Sequence, residues 1–349
     1  MQPYLTALAE GRTLTQEEAE AAMHLMMRGE ASPEQIAGLL MGLRARGETL
    51  DELVGFTRVM RQYAVPVRVD DPHAIDLCGT GGDRSGTFNI STAAAFVCAG
   101  AGVTVVKHGN RSVSSQAGSA DVLEALGVAI DLGAEGVEHC LEEVGIAFAF
   151  APRFHPAMRH VMPVRRALGV RTFFNILGPL CNPAGVRRQL VGAFRSDVAA
   201  TMAAILARLG AEHVVSVHAE DGLDELSLSA PTATYEYRRG DEAPRAGRVE
   251  PEALGLPRVP LEQLRGGDAE ANARLLRRVL EGEAGPHRDV VLLNATYALY
   301  VSGRFGDDLA ACLEAARESI DSGAALARLE QLVEVSNQVA REAARQPAA

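Results

Sequence analysis

The sequence predicts an α/β protein: a small N-terminal helical domain beside a larger α/β domain whose largely parallel central sheet is flanked by helices. Three observations predict it. Capping signals and apolar stripes at three-and-four spacing fill the chain up to residue 63, and from residue 74 short apolar runs alternate with helical patterns. Glycine-rich or polar stretches then follow several of the apolar runs, as loops do at the ends of parallel strands. With 349 residues the chain has room for about two domains.

The helical part has three N-terminal signals. Thr15-x-x-Glu18, Ser32-Pro33-x-Gln35 and Thr49-x-x-Glu52 each place a capping side chain three residues before an acid or amide. Each is followed by an apolar stripe: Ala19, Met23 and Met26, then Ile36, Leu39, Leu40 and Leu43, then Leu53, Phe56, Val59, Met60 and Tyr63. The methionines are expected to pack a core. Val65-Pro66-Val67 ends the helical signals, so the boundary is placed at 66 to 72, with a helical domain over 1–68 and an α/β domain over 69–349.

The second part alternates a strand at Ala74–Cys78, a helix to Gly100, a strand at Val103–Val106, a helix from Ser119 to Leu126, and a strand at Ile146–Phe150. A strand at Leu190–Phe194, a helix to Leu209 and a strand at His213–His218 follow. Ligands of such sheets sit at the carboxyl ends of the strands. The interval 156–188 differs, being turn-like and rich in arginine (Arg159, Arg165, Arg166, Arg171), and is expected to leave the sheet and pack back on the helical domain. Residues 308–344 are predicted to be helical.

Composition excludes several classes. Hydrophobic residues are 47% and charged ones 23%, and the longest nearly uncharged run, Ala93 to Val106, is too short and too rich in Gly and Ala to span a bilayer. Glu10, Arg12, Glu17 and Glu18 come early, so no secretory leader is expected and the predicted location is the cytoplasm. A net charge of −11 argues against a sequence-independent nucleic-acid binder, while leaving room for a local basic pocket. The five cysteines are scattered without a CxxC pair and are expected to be buried thiols. No HExxH occurs and His155/His160 has no zinc spacing, so histidine gets no metal role.

Three polar loops carry the chemistry. DLCGTGGDRSGTFNIST (76–92) packs glycines around a turn and runs into a helix starting near Asn89 to Ser91. It lacks the third glycine of a dinucleotide fingerprint, Arg84 standing there, and the Gly-Lys-Ser/Thr ending of a Walker loop, yet its backbone N–H groups could meet phosphate. VVKHGNRSVSSQAGSADVLEALG (105–127) offers Lys107, His108, Asn110, Arg111 and four serines, which would suit a phosphate-rich pocket or an ordinary solvated loop. HAEDGLDELSL (218–228) places Asp221, Asp224 and Glu225 after a strand, either for magnesium or as an acidic turn. Together, backbone donors, cations and paired carboxylates describe a site for magnesium-bound pyrophosphate or a sugar polyphosphate.

GTGGD, TFNIST, KHGNRSVSSQAGSADVLEALG and DGLDE resemble the anthranilate phosphoribosyltransferases of tryptophan biosynthesis. So do FHPAMRHVMPVRRALGVRTFFNILGPLCNPA (154–184) and NATYALYVSG (294–303), which makes the resemblance nearly full-length. Arg84 and Ala219 depart from glycines common in that family, at positions with no assigned role. The resemblance implies a nucleoside phosphorylase/phosphoribosyltransferase-like architecture, a homodimer, and transfer of phosphoribose from 5-phosphoribosyl 1-pyrophosphate (PRPP) to the amino group of anthranilate. It also implies that Gly79, Gly82, Asp83, Thr87, Asn89, Ile90, Ser91, Thr92, Lys107, His108, Gly109, Asn110, Arg111, Ser112, Val113, Ser114, Ser115 and Ser119 surround PRPP. Ser91, Asp224 and Glu225 are implied to hold two magnesium ions per subunit, and Gly79, Asn110 and Arg165 to contact anthranilate. No residue is assigned as acid or base, because an arylamine is already unprotonated at neutral pH. Two alternatives share the architecture: a pyrimidine nucleoside phosphorylase, which should lack the paired acids and the Arg165 segment, and a non-catalytic nucleic-acid-binding relative, which should be basic.

Overall fold

The computed structural model describes residues 1–83, 85–112 and 116–345. Helices Gln16–Met27, Pro33–Arg46 and Leu50–Gln62 each begin at the predicted cap, and in all three the cap side chain accepts from the backbone N–H three residues on while the acid or amide there accepts from the cap's own N–H. Every stripe residue except Tyr63 is buried. Glu52 does more than cap: its fully buried carboxylate also accepts from the Leu14 N–H at 2.8 Å and pairs with Arg46.

Among the described residues seven strands form one sheet: β1 (Ile75–Gly79), β2 (Val105–Gly109), β3 (Ile146–Phe150), β4 (Arg188–Gly192), β5 (His213–Ala219), β6 (Thr232–Arg238) and β7 (Arg245–Val249). Their order is β3-β2-β1-β4-β5-β6-β7. The pairings from β3 to β5 are parallel, while β6 and β7 add an antiparallel edge. The chain winds outward from β1 in one direction and from β4 in the other, which opens a crevice at the carboxyl ends of those two strands. β2 runs three residues beyond its predicted end because Lys107, His108 and Gly109 stay paired with Phe148, Ala149 and Phe150. Those three residues therefore close the strand and do not sit in the loop.

Side-chain alternation divides the sheet between two cores. Ile75, Leu77, Leu190, Val215 and Val217 join the helix Ile90–Gly100 and the C-terminal helices. Cys78, Val191 and Val214 face the other way, into a core that holds the N-terminal helices, the helix Ser196–Arg208, and Val161, Val164, Phe173, Phe174, Leu177 and Leu180. The chain crosses between the two bodies in two neighbouring places, where the Val65 N–H donates to the Phe154 carbonyl at 2.8 Å and the Val67 N–H to that of Pro183 at 3.2 Å. Asn182 pins the end of the returning segment to the sheet, its Nδ2 donating to Asp76 Oδ2 and to the Val106 carbonyl, each at 2.8 Å.

Candidate active site

The crevice is floored by two glycines. Gly79 ends β1, Gly192 ends β4, and the two are paired across the switch in strand order. A Cβ on Gly192 would lie 1.6 Å from the Asp224 carbonyl oxygen, and one on Gly79 2.5 Å from Asp224 Oδ2. Only bare backbone lets the acidic loop after β5 reach over both strands. That loop is built by its neighbours. Asp221 takes the Leu223 N–H at 3.2 Å and the hydroxyls of Ser227 and Ser229 at 2.6 and 2.5 Å, so this acid shapes the turn. Asn294, on the helix Pro286–Ser302, grips Leu226 from both sides, accepting its N–H at 3.0 Å and donating to its carbonyl at 2.9 Å.

Asp224 and Glu225 are thereby pushed into the crevice. Burial raises both carboxyl pKa values, Asp83 adding to the effect on Asp224 and Asp224 to that on Glu225. Asp224 Oδ2 accepts from the Gly81 N–H at 2.7 Å. Glu225 accepts from the Ser91 N–H at 3.2 Å in the first turn of the helix Ile90–Gly100. One backbone donor expected to face phosphate is thus used by Glu225. Lys107, almost fully buried at the end of β2, donates to the Leu77 carbonyl at 2.7 Å and to Ser91 Oγ at 3.3 Å. The first and third loops and the end of β2 therefore meet at Gly79, Gly81, Asp83, Ser91, Lys107, Asp224 and Glu225.

The remaining predicted residues lie around this cluster. Gly82, with φ 74, follows Gly81 in the turn. Thr87 bridges to Arg265, and Asn89 links the Ala117 carbonyl to Asn272. Ile90 is buried, as is Thr92, whose hydroxyl has no hydrogen-bond partner among the described residues. The His108 N–H donates to Asp76 Oδ1 at 3.2 Å, and its ring lies 5.1 Å from that of His155. Burial, with His155 and Lys107 nearby, pushes the His108 pKa down to about 3; burial pushes that of His155 to about 4. Both rings are neutral at pH 7.

Other placements differ from a simple phosphate clamp. Arg111 pairs with Asp121 at 3.0 Å and Glu124 at 2.8 Å, on the helix that follows. The Ser112 N–H donates to Asp121, and Ser119 Oγ reaches the Asn110 carbonyl at 3.5 Å. Gly109 closes β2 against Ser119 and Phe148. Val113, Ser114, Ser115 and Arg84 lie outside the described residues. Arg165 stands apart from the cluster: its guanidinium lies 5.2 Å over Phe174 and reaches Met162 Sδ at 3.6 Å, with no carboxylate partner among the described residues. No hydrogen bond or ion pair among those residues joins Arg165 or Asn110 to the acidic pair.

Asn294, Asp76 and Arg171 also build the site; each lies in a stretch already singled out, but its residue type and spacing do not show the contact it makes. For Arg171 a weaker signal exists: no Asp or Glu stands between Glu143 and Asp197 in an otherwise acidic chain. Arginines there must meet backbone, aromatic rings or a ligand, except where acids from elsewhere reach them.

This geometry has known counterparts. A family model described as the glycosyl transferase family a/b domain matches residues 71–326, and the helical bundle domain of the same family matches 2–64. The anthranilate phosphoribosyltransferase of Salinibacter ruber is 64% identical over 345 residues, covering 98% of this chain and 100% of the relative. The crystal structure of the Thermus thermophilus anthranilate phosphoribosyltransferase superposes with a TM-score of 0.89 at 46% identity, over 96% of this chain and 99% of that one. The Saccharomyces cerevisiae enzyme in complex with PRPP and Mg gives a TM-score of 0.85 at 26% identity, over 97% and 98%. A two-part chain with this sheet, and with paired acids over a glycine-floored crevice, belongs to the anthranilate phosphoribosyltransferase family.

Proposed function

We propose that this chain transfers the phosphoribosyl group of PRPP to the amino group of anthranilate, giving N-(5-phosphoribosyl)anthranilate and pyrophosphate. The observation that carries the reading is the meeting of Asp224, Glu225, Ser91 and Lys107 over the glycine floor. The donor set fits magnesium. Burial raises the pKa of both carboxyls, with Asp83 adding to the effect on Asp224 and Asp224 to that on Glu225, and these carboxylates with the Ser91 hydroxyl offer the oxygen ligands a hard divalent cation takes. Ser91, Asp224 and Glu225 would hold it, two ions per subunit being the number proposed. When bound, magnesium supplies positive charge to the leaving pyrophosphate.

The chain's own residues do the rest. Lys107 is fixed by Leu77 and Ser91, so its ammonium is in place before substrate arrives and need not reorganise as charge develops. The loop residues Gly79, Gly82, Asp83, Thr87, Asn89, Ile90 and Thr92, with His108 to Ser115 and Ser119, are proposed to surround PRPP. Arg165, together with Asn110 and Gly79, orients anthranilate by its carboxylate, because a planar guanidinium can take a carboxylate with two parallel hydrogen bonds. The C–N bond then forms at the anomeric carbon as the bond to pyrophosphate breaks, from an amine that is neutral from the start, and the proton that the nitrogen sheds goes to the departing pyrophosphate or to water. Positioning and charge do the catalysis. The proposed working form is a cytoplasmic homodimer; among the described residues no helix is long and apolar enough to cross a membrane.

Anthranilate is fluorescent and the chain has no tryptophan, so its consumption can be followed directly. Fluorescence should fall only with PRPP and Mg²⁺ together, stop on chelation, and be replaced by no reaction when uridine and inorganic phosphate are offered. Folded protein that leaves anthranilate untouched under these conditions would refute the reading.

A further inference from the structure

Arg171 follows the helix Met162–Leu168, after Gly169 has ended it in a left-handed turn and Val170 has passed through solvent. Its side chain does two things. The guanidinium lies over the Phe194 ring at 4.3 Å from the centroid, and Nη2 donates to the Gly82 carbonyl at 2.5 Å. Among the described residues it pairs with no carboxylate. Lysine could not do both, since only a planar fork stacks on a ring while donating from its edge.

Phe194 is itself keyed to the glycine turn. It follows β4 by two residues, and its N–H donates to Thr80 Oγ1 at 3.0 Å while the Thr80 N–H donates to the Gly192 carbonyl at 3.0 Å. The turn needs such a brace. Gly81 and Gly82, at φ 66 and 74, have no Cβ to restrict them, so their own backbone does not choose how the next peptide is oriented. In a trans peptide the carbonyl and N–H point in opposite directions. Holding the Gly82 carbonyl against Arg171 turns the Asp83 N–H away from it.

We infer that Arg171, backed by Phe194, is a positioning residue for the phosphosugar: it fixes which face of the glycine turn presents its N–H groups to pyrophosphate. The inference rests on the reading of this crevice as a PRPP site. It also gives the segment after residue 156 a direct hold on a loop of the sheet.

The test is calorimetric binding of PRPP with Mg²⁺ in the absence of anthranilate, together with steady-state kinetics, on Arg171→Met, Phe194→Leu and the double variant. Arg171→Met should weaken PRPP binding and raise its KM about ten-fold, the scale of one lost charge-assisted hydrogen bond, with kcat and the anthranilate KM little changed. Its urea midpoint should match that of the unmodified protein, because the side chain is exposed. Phe194→Leu should weaken PRPP binding less, and the double variant should be no weaker than Arg171→Met, since the ring acts through the arginine. Equal PRPP binding by Arg171→Met and the unmodified protein overturns the inference, and so does full additivity of the two penalties. An unmodified protein that binds no PRPP is a different result, and removes the functional reading itself.

Discussion

Arg165 keeps its guanidinium against Phe174 and Met162, half-sheltered from water and without a carboxylate among the described residues. Burial lowers its pKa, yet it stays charged, so an arriving carboxylate meets a cation that has already lost part of its hydration. Arg165→Ala should raise the anthranilate KM tens-fold, about 2 kcal/mol, and leave the PRPP KM alone; a change in the PRPP constant instead would assign Arg165 to the other substrate. The facing rings of His108 and His155 give a second expectation. Both bind protons less readily when folded, with pKa values pushed from 6.5 to about 3 and about 4. Their neutral burial contributes full stability above pH 6.5 and loses it as pH falls towards 4. His155→Phe should flatten that acid limb by about 2 to 3 kcal/mol in urea titrations at pH 7 and pH 4.5, because moving a pKa tenfold in proton affinity is worth about 1.4 kcal/mol. An unchanged pH profile would show that His155 is not kept neutral. Ser91, Lys107, Asp224 and Glu225 are legible as site candidates from residue type after a strand. Asn294 falls in a quoted motif, but its role is not legible there, since its work is to hold two backbone groups of a loop far away in sequence.

At the scale of elements, the crevice exists because β1 and β4 both end in glycine. Gly192→Ala should displace the acidic loop, because the new Cβ would fall 1.6 Å from the Asp224 carbonyl oxygen. The expected loss is about 3 kcal/mol of stability, with weakened PRPP binding, whereas Gly133→Ala, whose Cβ meets nothing within 4 Å, should be near neutral. Matching urea midpoints for the two variants would contradict the packing argument. The capped helices and β3 can be read because caps, stripes and apolar runs are local signals. The helix Pro286–Ser302 cannot: Val290, Val291, Leu292 and Leu293 are all buried, so it shows no polar face. β7 escapes for the opposite reason. Arg245, Ala246, Gly247 and Arg248 are exposed at the sheet edge and offer no apolar alternation. The end of β2 is hidden because Lys107 and His108 are polar, and only pairing with β3 keeps them extended.

At the scale of the molecule, the helical body and the sheet are joined by two close stretches of chain near residues 66–72 and 150–190, and the candidate ligand residues sit at and beyond the carboxyl ends of β1, β2 and β5. The division proposed is 1–68 with 156–188 against the rest. Closure of the two parts on PRPP and Mg²⁺ would keep water from a reactive ribosyl centre. Solution scattering should show a smaller radius of gyration at saturating ligand, and an unchanged profile would count against the hinge. The parallel sheet and the two-part organisation follow from alternation and capping, while the route of 156–188 depends on an arginine-rich run whose partners lie in other elements. The central claim is that separate loops converge on one magnesium-dependent phosphosugar site, and equilibrium binding of PRPP tests it most directly. Calorimetric titration should give strong binding to the unmodified protein with Mg²⁺, weak binding with chelator, and weak binding under both conditions to Asp224→Ala/Glu225→Ala, read on a variant whose cooperative urea unfolding shows that it is folded. Equal, magnesium-dependent affinity in the double variant would contradict the account.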